Sequence, residues 1–220
     1  MLTTRYKPVL NRFLEPLAAF LARRGVAPST ITLACPFLAS LVCLWFVQIR
    51  AVVPFCAAMA AVGSLDGLDG AVARAGGRAT KFGAYLDALC DRYVEAMVAL
   101  SVAFVTGYWV LTMIVLVGSL LVSYAKARTA MEVAVSNQEW PDLMERTERG
   151  ALFLVGLAAG TVISWKPMNH DLFWWTLCLL AVLTHATVVQ RMLRARRFIE
   201  ERAGLEAARS GNRDRRAGEG

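Results

Sequence analysis

The sequence predicts an all-α integral membrane protein, with six transmembrane helices preceded by an amphipathic interfacial helix. Three observations lead there. Hydrophobic residues make up 57% of the 220-residue chain, and a mean hydropathy of +0.47 is too high for a solvated globular surface. Apolar stretches near 29–49, 52–74, 81–106, 109–133, 148–165 and 172–193 each approach the roughly 20 residues that cross a hydrocarbon core of about 30 Å. Basic residues sort almost entirely to one side of those alternating stretches.

The first 27 residues do not read as a cleavable signal peptide, because Glu15 and Pro16 break the apolar stretch and Arg23 and Arg24 follow it. Tyr6, Leu10, Phe13, Leu14, Leu17 and Leu21 recur at helical spacing opposite Arg5, Lys7, Asn11 and Arg12, which predicts a helix lying on the membrane surface. The six spans and this helix form one membrane domain, residues 1–198. The remainder, 199–220, is rich in Arg, Ala, Gly and Glu and reads as a basic, poorly ordered tail. Cys35, Cys43, Cys56, Cys90 and Cys178 fall within spans without a CxxC pair, so they read as small core side chains.

Arg74, Arg78, Lys81, Lys126, Arg128, Arg146, Arg149 and the cluster from Arg191 share one side with the N-terminal basic residues, and only Arg50 and Lys166 mark the other. The positive-inside tendency then makes both termini cytoplasmic in a multi-pass protein of the cell's inner, cytoplasmic membrane. Anionic lipid headgroups and phosphorylated substrates account for the net charge of +7, and no nucleic acid partner is expected.

Four aspartates interrupt this apolar pattern. Asp66 and Asp69 lie on the second span, Asp87 and Asp91 on the third. A carboxylate in a span costs about 2.5–3.5 kcal/mol on insertion scales, so four together demand compensation. Spacings of three and four residues put each pair on one helical face. Counted from the loop between the spans at 1.5 Å per residue, Asp69 and Asp87 lie roughly 13–14 Å deep and Asp66 and Asp91 roughly 18–20 Å. Treated as antiparallel neighbours, the two helices bring the four carboxylates together. Crowded carboxylate oxygens suit a hard divalent cation such as Mg²⁺, Mn²⁺ or Ca²⁺. Gly63, Gly67, Gly70, Ala71, Ala73 and Gly83 surround the acids and would let backbones approach each other or a ligand.

The segment Asp66-Gly-Leu-Asp69-Gly70-Ala-Val-Ala73-Arg74, eight residues, then Gly83-Ala-Tyr-Leu-Asp87-Ala-Leu-Cys-Asp91 resembles the motif of the CDP-alcohol phosphotransferase family, D-x2-D-G-x2-A-R-x8-G-x3-D-x3-D. The resemblance implies a site of two Mg²⁺ ions, with Mn²⁺ as an alternative, held by Asp66, Asp69, Asp87 and Asp91. It implies that Asp91 also takes the proton of the incoming hydroxyl, and that Gly70 and Arg74 contact the CDP diphosphate. Pro28-Ser29-Thr30-Ile31-Thr32 aligns with the family's P-N-x-x-T segment, with Ser29 in place of Asn, and Thr80 with its loop hydroxyl residue; Ser29, Thr30, Ile31, Thr32 and Thr80 are thereby implied to touch the CDP-lipid. Relatives pair through membrane spans, so a homodimer is implied.

A second basic cluster, Lys126, Arg128, Arg146, Arg149 and Arg191, lies at the depth of the aspartates and suits a dianionic phosphate on the acceptor alcohol. Ser123-Tyr-Ala-Lys126-Ala-Arg128 and Glu145-Arg146-Thr-Glu-Arg149 resemble the branch that makes phosphatidylinositol phosphate or its archaeal counterpart, with CDP-diacylglycerol as donor and inositol phosphate as acceptor. A phosphatidylglycerophosphate synthase using glycerol 3-phosphate would use a similar pocket. A divalent-cation transporter is the rival of another class, but it needs a polar path across the bilayer, whereas Ala51 to Ala61 and Ala96 to Val105 are nearly all apolar.

Overall fold

The structure, a computed structural model, describes residues 15–132, 144 and 146–218, with side chains through residue 202 apart from that of Asp66. Among these residues every long element is a helix. They are α1 (15–23), α2 (Pro28–Ile49), α3 (Val52–Ala75), α4 (Lys81–Thr106), α5 (Trp109–Glu132), α6 (Arg146–Val162) and α7 (Leu172–Gly218), with a single 3-10 turn at Pro167–Asn169. Four of them, α2, α3, α5 and the first part of α7, are long and apolar enough to cross a membrane. The other two expected spans exist as helices with less of that character. The α4 helix carries Lys81, Asp87, Asp91, Arg92 and Glu95, and α6 has only 17 residues.

Local chemistry sets the boundaries. Pro28 opens α2, where its missing N–H costs nothing. Arg50 closes it in the left-handed region (φ 57°) and donates its N–H to Phe46 O at 2.8 Å. The turn into α3 is clamped by Phe46 and Phe55, both fully buried, whose rings stack 3.9 Å apart. Gly77 (φ 62°) releases the chain after α3. Thr80 caps α4, its Oγ1 accepting from Gly83 N at 2.9 Å. Gly107 (φ 78°) ends α4.

By contacts the chain divides into two units, residues 1–116 with 145–180 and residues 117–144 with 181–220. In the first, α2 packs along both α4 and α3, and α6 packs on α3. Ala18 of α1 is buried with Leu68, Ala71 and Val72 of α3, and Leu21, Ala22 and Ile31 pack against them. The N-terminal helix is thus docked on protein through Ala18, Leu21 and Ala22, while Leu17 and Phe20 are exposed. The rest of the expected interfacial face, Tyr6 to Leu14, lies outside the described residues. Close approach of α6 and α7 depends on Gly156 and Gly160, which face Thr176 and Phe173.

In the second unit, Gly118 of α5 admits Thr184 and His185 of α7, and the buried Arg191 donates to the Val122 carbonyl. The α7 helix runs on to Gly218. Its Arg, Ala and Glu content favours helix wherever a preceding turn nucleates it, and the Arg196–Glu200 pair at 2.7 Å is an early rung of that extension.

Candidate active site

A cavity of about 410 Å³ opens where the start of α2, the end of α3, the following loop and the start of α4 meet. Its walls include Ser29, Thr32, Asp69, Gly70, Arg74, Thr80 and Asp87. Helix periodicity explains this convergence, since Asp69, Gly70, Ala73 and Arg74 recur at the i, i+1, i+4 and i+5 positions of one α3 face. Their partner wall is built from Gly83, Ala84 and Asp87 on α4.

Asp69 is buried and firmly held. Its Oδ2 accepts from Thr32 Oγ1 at 2.5 Å and its Oδ1 from the Gly70 backbone N–H at 2.5 Å. Thr32, one helical turn into α2, therefore ties the α2 start to the acidic face of α3. Gly70 is small where Arg74 passes, since a Cβ there would lie 3.3 Å from Arg74 Nη1. The guanidinium folds back along α3 towards the cavity.

Asp91 is buried one turn further along α4, and its Oδ2 accepts from Arg146 Nη1 at the first residue of α6. Arg92 Nη2 lies 3.9 Å from the same oxygen while its Nη1 pairs with Glu95 Oε2 at 3.1 Å. Sequence spacing assigned Arg146 to acceptor phosphate, and the structure joins it to the carboxylate expected to take the proton.

The remaining expected residues divide. Thr30 is outside the cavity wall, and Ile31 packs into the Ala18–Leu68–Val72 cluster instead. Arg149 is buried in the first unit. Lys126, Arg128 and Arg191 belong to the second unit, where Arg128 pairs with Glu132 at 2.6 Å. Arg78 and Phe82 line the cavity although the sequence marked neither. Arg78 reads as ordinary positive-inside flanking, and only the return of the loop beneath α3 identifies it.

The donor chemistry fits a hard divalent cation. Asp69 and Asp87 present oxygen from two helices, and the described lining contains no His or Cys. Among the described residues no three His, Cys, Asp or Glu side chains gather tightly enough to hold an ion; the Asp66 side chain is outside that set.

Fold and cavity define a helical membrane-type protein with an acidic face on α3 and α4, rimmed by Arg74 and Arg78. Residues 25–187 match the CDP-alcohol phosphatidyltransferase family profile, and the chain belongs to that family of transferases. Archaetidylinositol phosphate synthase of Pyrococcus horikoshii is 30% identical over 90% of this chain and 98% of its own. Phosphatidylinositol phosphate synthase of Mycobacteroides abscessus is 34% identical over 81% of each chain. The crystal structure of Mycobacterium tuberculosis phosphatidylinositol phosphate synthase with CDP-DAG bound superposes with a TM-score of 0.74 at 28% identity, covering 84% of this chain and 94% of that one. A second structure of that enzyme, in complex with manganese and citrate, gives a TM-score of 0.73.

Proposed function

We propose that this chain transfers the phosphatidyl group of CDP-diacylglycerol to a hydroxyl of a phosphorylated alcohol, inositol phosphate being the favoured acceptor, and releases CMP. The observation that carries this reading is the joint presence of Asp69, Gly70, Arg74, Thr80 and Asp87 in one cavity wall. The names of the relatives support the acceptor, and the bound CDP-DAG and manganese of the mycobacterial structures support the donor and a divalent cation.

Ser29, Thr32, Gly70, Arg74 and Thr80 surround the diphosphate of the donor, with Arg74 and Arg78 opposing its negative charge. The Thr80 hydroxyl, already an acceptor in the α4 cap, keeps its proton for a phosphate oxygen. Asp66, Asp69, Asp87 and Asp91 would hold Mg²⁺ or Mn²⁺, two per site, and such ions would supply charge neutralisation for the attacking and leaving oxygens. Thr32 fixes the orientation of Asp69 through its 2.5 Å hydrogen bond. Asp91 accepts the proton of the acceptor hydroxyl as the new P–O bond forms and CMP leaves with the electrons of the broken one. Arg146 and Arg149, with Lys126, Arg128 and Arg191, serve the acceptor phosphate. Six spans with the cavity open to the cytoplasmic leaflet suit a lipid-anchored donor and a soluble CMP product, and a homodimer is the expected assembly.

Purified protein with CDP-diacylglycerol and Mg²⁺ is given inositol 1-phosphate, glycerol 3-phosphate or serine, and lipid product is measured. Product with inositol 1-phosphate supports the assignment; product with glycerol 3-phosphate alone moves the acceptor while leaving the chemistry. Asp91→Asn should abolish turnover and retain part of the metal binding, and an active variant removes Asp91 from the proton-accepting role.

A further inference from the structure

We propose that the outward face of α1 is a binding site for anionic phospholipid headgroups, built on Phe20, Arg23 and Arg24, and that its occupation steadies the cavity from behind. The effect on catalysis rests on the function proposed above; the binding site does not.

The helix has two unlike faces. Ala18, Leu21 and Ala22 turn inward onto Leu68, Ala71 and Val72 of α3 and Ile31 of α2. Outward stand the exposed Leu17 and Phe20, with Arg23 and Arg24 beside them. The Arg24 guanidinium lies 5.1 Å from the centre of the Phe20 ring, and Arg23 Nε donates to the Ala19 carbonyl at 3.2 Å. Both side chains are thereby held along the helix, and among the described residues neither guanidinium has a carboxylate partner. They are not needed as caps either. Gly25 (φ 75°) donates to Ala22 O at 3.1 Å and Val26 to Leu21 O at 3.1 Å, a closure made by backbone donors.

Leucine and phenylalanine beside two such arginines suit neither open water nor hydrocarbon. They suit the boundary between acyl chains and headgroups, where apolar side chains enter the acyl layer and guanidiniums reach phosphate. A zwitterionic headgroup cancels its phosphate with its own cation, so an anionic lipid is the better match for this face.

What binds outside bears on the cavity because α1 lies behind both of its walls. Leu68, Ala71 and Val72 alternate along α3 with Asp69, Gly70 and Ala73, which line the cavity. Ile31 lies in the chain between Ser29 and Thr32 of the other wall. A Cβ at Gly76, where α3 ends, would stand 3.7 Å from Ala22 Cβ. An α1 pinned by headgroups therefore holds the two walls together.

Native mass spectrometry of detergent-solubilised protein counts retained phosphatidylglycerol against phosphatidylcholine of the same chains. Arg23→Gln with Arg24→Gln should lower phosphatidylglycerol retention roughly thirtyfold, whereas Arg23→Lys with Arg24→Lys should keep most of it. Arg50→Gln with Lys166→Gln, an equal loss of charge elsewhere, should leave it unchanged. In phosphatidylcholine nanodiscs, kcat/KM for CDP-diacylglycerol should rise several-fold when about a third of the lipid is phosphatidylglycerol. The Arg23→Gln, Arg24→Gln chain should keep the phosphatidylcholine rate and lose the rise. Native retention in that chain, or an equal loss in the Arg50→Gln, Lys166→Gln chain, would overturn the site. A change from dimer to monomer with retention intact would also overturn it and give the face to a second copy. Lost retention with the rise preserved would overturn the link to the cavity. Absence of CMP release from every chain in every bilayer would count against the proposed function itself, and lipid retention would still decide the site.

Discussion

Thr32 Oγ1 has one proton and two acceptors, the Pro28 carbonyl at 3.1 Å and Asp69 Oδ2 at 2.5 Å. The closer, charged oxygen takes it, and hydrogen bonds to charged groups contribute about 1.5–3 kcal/mol. Thr32→Val keeps the shape and removes the donor, so kcat/KM for CDP-diacylglycerol should fall roughly tenfold or more, measured against Thr32→Ser, which should retain most activity. A second residue-scale prediction concerns Tyr108, whose OH donates to Asp171 Oδ2 at 2.9 Å between helices. Burial pushes its phenol up to about 12, and Asp171 adds to the rise by hydrogen bond and by charge. The protonated form is favoured in the folded chain, so its stabilisation is complete below the unfolded value of about 10 and disappears as pH rises from there through about 12. The difference in thermal unfolding between the native chain and Tyr108→Phe should therefore hold steady to about pH 10 and shrink above it.

Helix boundaries were legible because each has a local cause. Pro28, Arg50, Thr80 and Gly107 end or begin helices through their own dihedrals and hydrogen bonds, which a single chain segment encodes. Which glycines serve close packing was not legible. Gly63, in the acidic span, has open space where a Cβ would stand, whereas a methyl at Gly156 would lie 2.3 Å from Thr176 Cγ2. Overpacking of this kind costs about 1–3 kcal/mol, so Gly156→Ala should lower the thermal unfolding midpoint, with partial recovery on adding Thr176→Ala. A similar midpoint for Gly156→Ala and the native chain would show that α6 and α7 tolerate separation. Asp171 strengthens the same region by capping α7, its Oδ1 accepting from Trp174 N at 2.8 Å.

At the scale of the whole molecule, helix topology and metal requirement are the quantities to test. Single cysteines replacing Arg78 and Lys166 in a cysteine-free background should react with a membrane-impermeant thiol reagent from opposite sides of a sealed vesicle, Arg78→Cys from the cytoplasmic face. Labelling of both from one side would remove the six-span arrangement. Chelation should stop CMP release, with Mn²⁺ or Mg²⁺ restoring it, since uncompensated carboxylates at this depth repel. By itself the sequence determined the family through the motif from Asp66 to Asp91, the helices through apolar stretches of span length, and the pairing of the acids on helical faces through their spacing, because those depend on residues within a few turns of one another. Tertiary structure alone decided that α2 stands against both aspartate helices, that Thr32 holds Asp69, that Arg78 returns to the cavity and that Arg146 meets Asp91. Contacts between residues 37 or 55 positions apart are fixed by how helices pack, and no local pattern in the chain records that packing.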